Sequence, residues 1–125
     1  SEMCIRDRVQ GICRAAGGDA DVRYRCIAPP VHNDPELTAL MERCAVERLG
    51  CSRVVAVEQP SLGAEDFAEL LRDVPGTMLR LGVAGPQGCA PLHHCRFDPD
   101  EASLPVGIEV LTETLQAWML ERQTP

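Results

Sequence analysis

The sequence predicts an α/β fold, on three observations. Segments with helical apolar spacing alternate with short segments that either alternate residue by residue or run continuously apolar. Glycine or proline punctuates nearly every junction between them. The resulting order of helix, strand, helix, strand, helix, strand, helix is that of a sheet built with crossover connections.

Taken in order, residues 1–8 (SEMCIRDR) show no clear period and are set apart as a non-native leader. Val9, Ile12, Cys13 and Ala16 follow the i, i+3, i+4, i+7 spacing of one helical face, and Gly17-Gly18 supplies the stop. From Ala20 the period falls to two. Val22, Tyr24 and Cys26 alternate with Asp21, Arg23 and Arg25, as a half-buried strand requires, and Pro29-Pro30 ends it.

The next helix begins at Asp34, a capping residue, with Pro35 at the first helical position. Leu37, Leu40, Met41 and Cys44 form its stripe and Gly50 closes it. Arg53–Val57 (RVVAV) and Thr77–Val83 (TMLRLGV) are predicted as buried strands. Between them, Phe67, Leu70, Leu71 and Val74 mark a helix stopped by Pro75-Gly76. A last helix carries the stripe Leu104, Ile108, Leu111, Leu115 and Trp118, with Pro105 tolerable near its start. Three strands, two of them buried on both faces, imply a sheet with neighbours outside this chain.

Composition excludes several classes of function. At 125 residues the chain is one domain by length, and its four aromatics leave the core to Leu, Val, Ala and Cys. A net charge of −7 without any Lys/Arg stripe argues against a nucleic-acid partner. No apolar run approaches the roughly 20 residues of a membrane span, and no secretory h-region opens the chain. A soluble, cytoplasmic protein is expected. Seven cysteines, an odd number without a Cys-x-x-Cys spacing, read as reduced thiols, with Cys13, Cys26 and Cys44 on apolar positions as small buried hydrophobes.

The one dense set of metal-ligand types is Cys89, His93, His94 and Cys95, in a loop that follows a strand. Adjacent histidines rarely face one ion together, and a catalytic zinc needs about three protein ligands, so this loop is expected to supply one or two of a larger set. A complete local zinc knot would have to recruit Cys44 and Cys51, at spacings that fit no knuckle. The plain alternative for His93 is a hydrogen-bonded loop histidine. Glu65 and Asp66, at a helix start, read first as caps and second as carboxylates near a cation. Asp98, Asp100 and Glu101 read as solvated or capping charges.

The segments PPVHNDPEL, PSLGAEDFAELLRDVPGTMLRLGV and PLHHCRFDPDEASLPVGIEVL carry a family resemblance. From about Val9 to Met119 the chain resembles the C-terminal part of the metal-dependent amidohydrolases of the twentieth metallopeptidase family. These include hippurate hydrolases, indole-acetyl-amino-acid hydrolases and N-acyl-amino-acid deacetylases. The resemblance implies an incomplete fragment of a two-domain zinc-peptidase-like α/β fold, with residues 9–31 ending a lid or dimerisation domain and residues 32–125 closing the catalytic domain.

It further implies two divalent metal ions, zinc or manganese, a small N-acyl amino acid substrate such as an aminoacylase takes, and a homodimer formed through the lid. The metals of such an enzyme activate a water that attacks the amide. The family's last metal ligand, the histidine of its Pro-Leu-His motif, falls on His93. Relatives follow it with Ser or Thr and then Pro, where this chain has His94 and Cys95. The remaining ligands and the general base are expected upstream, so no catalytic residue is assigned in this chain and it is expected to be inactive alone. The alternative is a small Cys/His metal-binding or interaction module using Cys89, His93, His94 and Cys95 itself.

Overall fold

A computed structural model describes residues 2–59 and 61–123, so Ser1 of the leader, Pro60 of the EQPSLG loop and the last two residues lie outside the described residues. Its elements are α1 (Glu2–Ala15), α2 (Pro35–Leu49), a 3-10 turn (Cys51–Arg53), α3 (Phe67–Leu70) and α4 (Ser103–Glu121). Each predicted helix is present.

α1 starts well before Val9 and is continuous across residues 8 and 9. It stops as the glycines predict: Gly17 takes φ 77°, its N–H reaches the Arg14 carbonyl, and the Gly18 N–H reaches the Cys13 carbonyl at 2.9 Å. α1 packs on no other helix among the described residues, and Met3, Ile5 and Ile12 are exposed.

α2 shows how local chemistry sets an element. Asp34 Oδ1 accepts from the Leu37 N–H at 2.9 Å, Pro35 occupies the first turn where its missing N–H costs nothing, and Gly50 ends the helix at φ 85°. The residue before the cap is stitched to a distant segment. Asn33 donates its side-chain amide to the Met78 carbonyl and accepts from the Met78 N–H, both at 3.1 Å. The Asp34 N–H adds a bond to the Gly76 carbonyl at 2.8 Å.

The core is the seam between α2 and α4. Leu40, Cys44 and Ala45 of α2 and Gly107, Val110 and Thr114 of α4 are buried, and the Thr114 hydroxyl donates to the Val110 carbonyl at 2.7 Å, so it is not left unsatisfied. Arg43 pairs with Glu121 at 2.7 Å, and Arg48 pairs with Glu109 at 2.9 Å and Glu113 at 3.6 Å. Advancing along α2 therefore means going back along α4, and the two helices run antiparallel. Arg48 holds the Glu109 carboxyl below its ordinary range, chiefly through their hydrogen bond.

Three expectations are corrected. First, Val22–Cys26, Arg53–Val57 and Thr77–Val83 are not paired strands; among the described residues the one β-bridge joins Gly85 and Gly88. A strand exists through the ladder it shares with a neighbour, and none of these segments has such a neighbour among the described residues. Burial in this segment is partial without the ladder: Thr77, Met78, Leu79, Leu81 and Val83 are half-buried while Arg80 and Gly82 are exposed. A Cβ at Gly107 would lie 3.0 Å from Leu81 Cδ2, so the glycine lets this extended segment lie close on α4. Arg53–Val57 has no such cover, and Val55 is 80% exposed. The α/β class is therefore not realised in these residues.

Second, the stripe predicted to bury α4 faces out except at its last member, Trp118, which is half-buried. Leu104, Ile108, Leu111 and Leu115 are 53–64% exposed, while the opposite face meets α2. α4 is apolar on two faces, and periodicity located one of them. Third, Cys26 is exposed and Cys13 half-buried; Cys44 alone of the three is a buried small hydrophobe. α3 is a single turn, with Ala68 buried, Phe67 and Leu71 half-buried, and Leu70 and Val74 exposed. No helix among the described residues is long and apolar enough to cross a membrane.

Asp34→Ala is expected to lower stability by about 1 kcal/mol, the usual worth of such a cap, measured as a shift in the urea midpoint. Val55→Lys with Val57→Lys is expected to leave helical circular dichroism unchanged while reducing binding of a hydrophobic dye, because both side chains already sit in water.

Candidate functional site

The loop between residues 85 and 100 joins the extended Thr77–Val83 segment to α4, and hydrogen bonds across it define its shape. At its mouth Pro86 and Gln87 lie between Gly85 and Gly88 in a tight turn, closed by the Gly88 N–H to the Gly85 carbonyl at 2.9 Å. Proline second and glycine fourth are the preferences of a type I turn, and Gly88 continues at φ 80°. Midway, the Cys89 thiol crosses the loop to the Asp98 carbonyl at 3.1 Å. At the base, the Asp100 N–H reaches back to the Val83 carbonyl at 2.9 Å.

The two histidines sit at the far end of this loop in different roles. A turn closes from the His94 N–H to the Pro91 carbonyl at 3.0 Å, and its third residue, His93, has φ 69°. It is the one non-glycine residue with positive φ among the described residues. Histidine tolerates the left-handed region better than most side chains, though at a cost. His94 starts the next turn, whose Phe97 N–H bonds to the His94 carbonyl at 2.9 Å. The His94 ring Nδ1 accepts from the Arg96 N–H at 3.1 Å. The His93 ring is exposed and has no hydrogen-bond partner among the described residues.

Glu65 does what its capping reading predicts, its Oε1 accepting from the Phe67 N–H at 3.2 Å. Asp66 makes no side-chain cap bond, and its carboxylate is exposed. Asp100 is also a cap: its Oδ1 accepts from the Ala102 N–H at 2.9 Å, ahead of α4.

No group of three or more His, Cys, Asp or Glu side chains among the described residues could hold a metal ion. The structure therefore does not bring His93, Glu65 and Asp66 together as a site. The zinc knot, which the spacings already disfavour, is not formed among the described residues, where Cys44 is buried in the α2–α4 seam and Cys51 is exposed on the 3-10 turn. Of the Cys/His set, the Cys89 thiol is turned to a carbonyl and His94 Nδ1 to a backbone N–H, and the described residues hold no ready-made metal cluster for a self-contained metal-binding module. Sequence reasoning passed over Asn33, whose stitch to Met78 leaves no local pattern. It also passed over Cys89 and Gly85 as the ribs of this loop.

A sequence model described as Peptidase family M20/M25/M40 matches residues 5–117, beginning inside the stretch set apart as a leader. Over 116 residues the chain is 42% identical to "Probable hydrolase sll0100" of Synechocystis sp., covering 91% of this chain and 29% of that protein. It is 36% identical over 107 residues to an N-acetyldiaminopimelate deacetylase of Geobacillus sp., with 86% and 27% covered. With an N-acetyldiaminopimelate deacetylase of Streptococcus sanguinis it shares 32% over 119 residues, with 94% and 30% covered. The chain thus spans about 30% of the length of the curated relatives it matches. No solved structure matches it significantly.

The left-handed turn gives a testable consequence. His93→Gly and His93→Ala both delete the imidazole, but Gly alone occupies φ 69° without a Cβ clash. Subtracting the extra freedom of Gly in the unfolded chain, the Gly variant is expected to be the more stable by roughly 0.5–1 kcal/mol, read from paired urea titrations.

Proposed function

This chain belongs to peptidase family M20/M25/M40, and from that premise we propose that the protein it forms part of is a metal-dependent amidohydrolase acting on N-acyl amino acids or related small amides. The observation that carries the reading is His93: an imidazole on the family's Pro-Leu-His motif, exposed, unbonded among the described residues and presented from a strained turn. Strain at one position in an otherwise relaxed loop is a mark of function. The relatives named as N-acetyldiaminopimelate deacetylases remove an acetyl group from an amine, which supports the N-acyl class of substrate without selecting the acyl group or amino acid.

The proposal takes its cofactors, two divalent metals, zinc or manganese, from the family, with His93 as one donor. This chain alone does not fit them, because a catalytic metal needs about three protein ligands and the described residues bring no such group together. No step of hydrolysis is therefore assigned to the chain by itself. The proposal places the other ligands and the general base in the remaining part of the polypeptide. Glu65 and Asp66 stay in it as carboxylates near the site rather than ligands.

The fold reading goes with the functional one. We assign residues 9–31 to the end of a lid through which the whole protein dimerises, and residues 32–125 to the closing part of a catalytic α/β domain. Support comes from α1, which packs on no other helix among the described residues, and from the unladdered segments at Arg53–Val57 and Thr77–Val83. We place the protein in the cytoplasm.

The purified 125-residue chain is expected to show no turnover of hippurate or an N-acetyl amino acid with zinc or manganese added. A chimera in which residues 5–117 replace the matching segment of the Synechocystis hydrolase is expected to be active, and His93→Ala in that chimera to abolish turnover. Metal-dependent turnover by the chain alone, or full activity in the His93→Ala chimera, would overturn the proposal.

A further inference from the structure

Resting on the reading of this chain as part of a larger hydrolase, we infer that Leu79–Gly82 and the outer stripe of α4 form one docking surface for a β-strand, and the sheet behind it, supplied by the remainder of the polypeptide. The segment is held at both ends and open between them. At one end the Asn33 side-chain amide takes both backbone groups of Met78, each at 3.1 Å, as a neighbouring strand would. At the other the Asp100 N–H holds the Val83 carbonyl at 2.9 Å. From Leu79 to Gly82 no backbone N–H or C=O is hydrogen-bonded among the described residues.

An extended backbone fixed at its ends and unpaired between them is a template for strand addition, because its donors and acceptors are already aligned and little further ordering is needed. The segment is also seated on α4: Leu81 is half-buried, and a Cβ at Gly107 would lie 3.0 Å from Leu81 Cδ2. Gly107 lies between Leu104 and Leu111 at helical-neighbour spacing, so this seat adjoins the exposed stripe of Leu104, Ile108, Leu111 and Leu115. Strands of a sheet lie about 4.8 Å apart, so one added on that edge of Leu79–Gly82 covers the stripe as it completes the ladder. The occupant is the remainder of the polypeptide rather than a second copy, for two reasons. The relatives are about three times as long as the part this chain matches, and two copies, each with a net charge of −7, repel one another.

The test compares amide hydrogen exchange in the 125-residue chain and in the chimera defined above, both without metal or substrate. Successive N–H groups of a strand point to opposite edges, so one added strand protects either Leu79 and Leu81 or Arg80 and Gly82. In the chain these amides are expected to exchange at close to the rate of an unstructured peptide; in the chimera one of the two pairs is expected to be slower by at least about 100-fold. Leu111 is 53% exposed, so Leu111→Glu is expected to leave the helical circular dichroism of the chain unchanged, yet to speed exchange of the protected pair in the chimera at least about tenfold. Gln116→Glu, at an exposed position outside the stripe, is expected to change neither.

Fast exchange of both pairs in the chimera overturns the inference, as does protection that survives Leu111→Glu. So does slow exchange in the chain alone, and sedimentation then tells a second copy from pairing within the chain. Should the chimera show no cooperative unfolding, the unaltered Synechocystis hydrolase is measured at the residues aligned with 79–82, and fast exchange there overturns the inference equally. Because no turnover is read, an inactive chimera with a protected pair sinks the amidohydrolase reading and leaves the docking surface standing.

Discussion

The seam between α2 and α4 is the interaction on which the rest of the described structure depends. Its apolar contribution is small: Leu40, Cys44 and Ala45 on one side, Val110 with the self-satisfied Thr114 on the other. The ion pairs of Arg43 and Arg48 run along the solvent edges, where they fix direction and register more than they add stability. Both helices are entered from segments tied to distant parts of the chain. Asp34 caps α2 while its neighbour Asn33 ties the chain to Met78, and Asp100 precedes α4 while tying it to Val83. The seam thus holds two entry points in place, and the His93 loop hangs from the second.

Features governed by neighbours within four or five residues were legible in the sequence. The Asp34-Pro35 start, the Gly17-Gly18 stop and the Gly50 ending each depend on local backbone chemistry, and the structure reproduces them. Strand pairing was not legible, because a ladder belongs to two segments at once. Leu79–Val83 keeps the alternating burial of a strand without being paired. The stripe on α4 failed for a related reason. Apolar spacing reveals that a face wants cover without saying what covers it, and here α2 took the other face.

The loop shows the same division. Ligand-type residues could be found by composition, and the resemblance selected His93 over His94. The two rings differ in three dimensions, where the His94 ring accepts from the Arg96 N–H while His93 stands in a left-handed turn. The approach of Asp100 to Gly85 was invisible because the two are distant in sequence and meet by packing. The bland readings of Glu65 and Asp100 as caps came through intact, which is a reason to weigh caps first wherever a carboxylate opens a helix.

A helix with two apolar faces belongs between two layers. α2 supplies one layer for α4, and the face bearing Leu104, Ile108, Leu111 and Leu115 remains in water. Leu81, resting on Gly107, marks how an extended segment approaches that helix, and the exposed Val55 and Val57 form a second extended segment with the apolar character of a buried strand. Soluble proteins seldom leave so many large aliphatic side chains uncovered. The relatives are about three times as long as the part this chain matches, which leaves room in each for further strands. The same reasoning that makes the apolar surface incomplete makes the site incomplete. A lone exposed imidazole and an uncovered helix face are both halves of contacts, and both support the proposal that the chain works as part of a larger hydrolase.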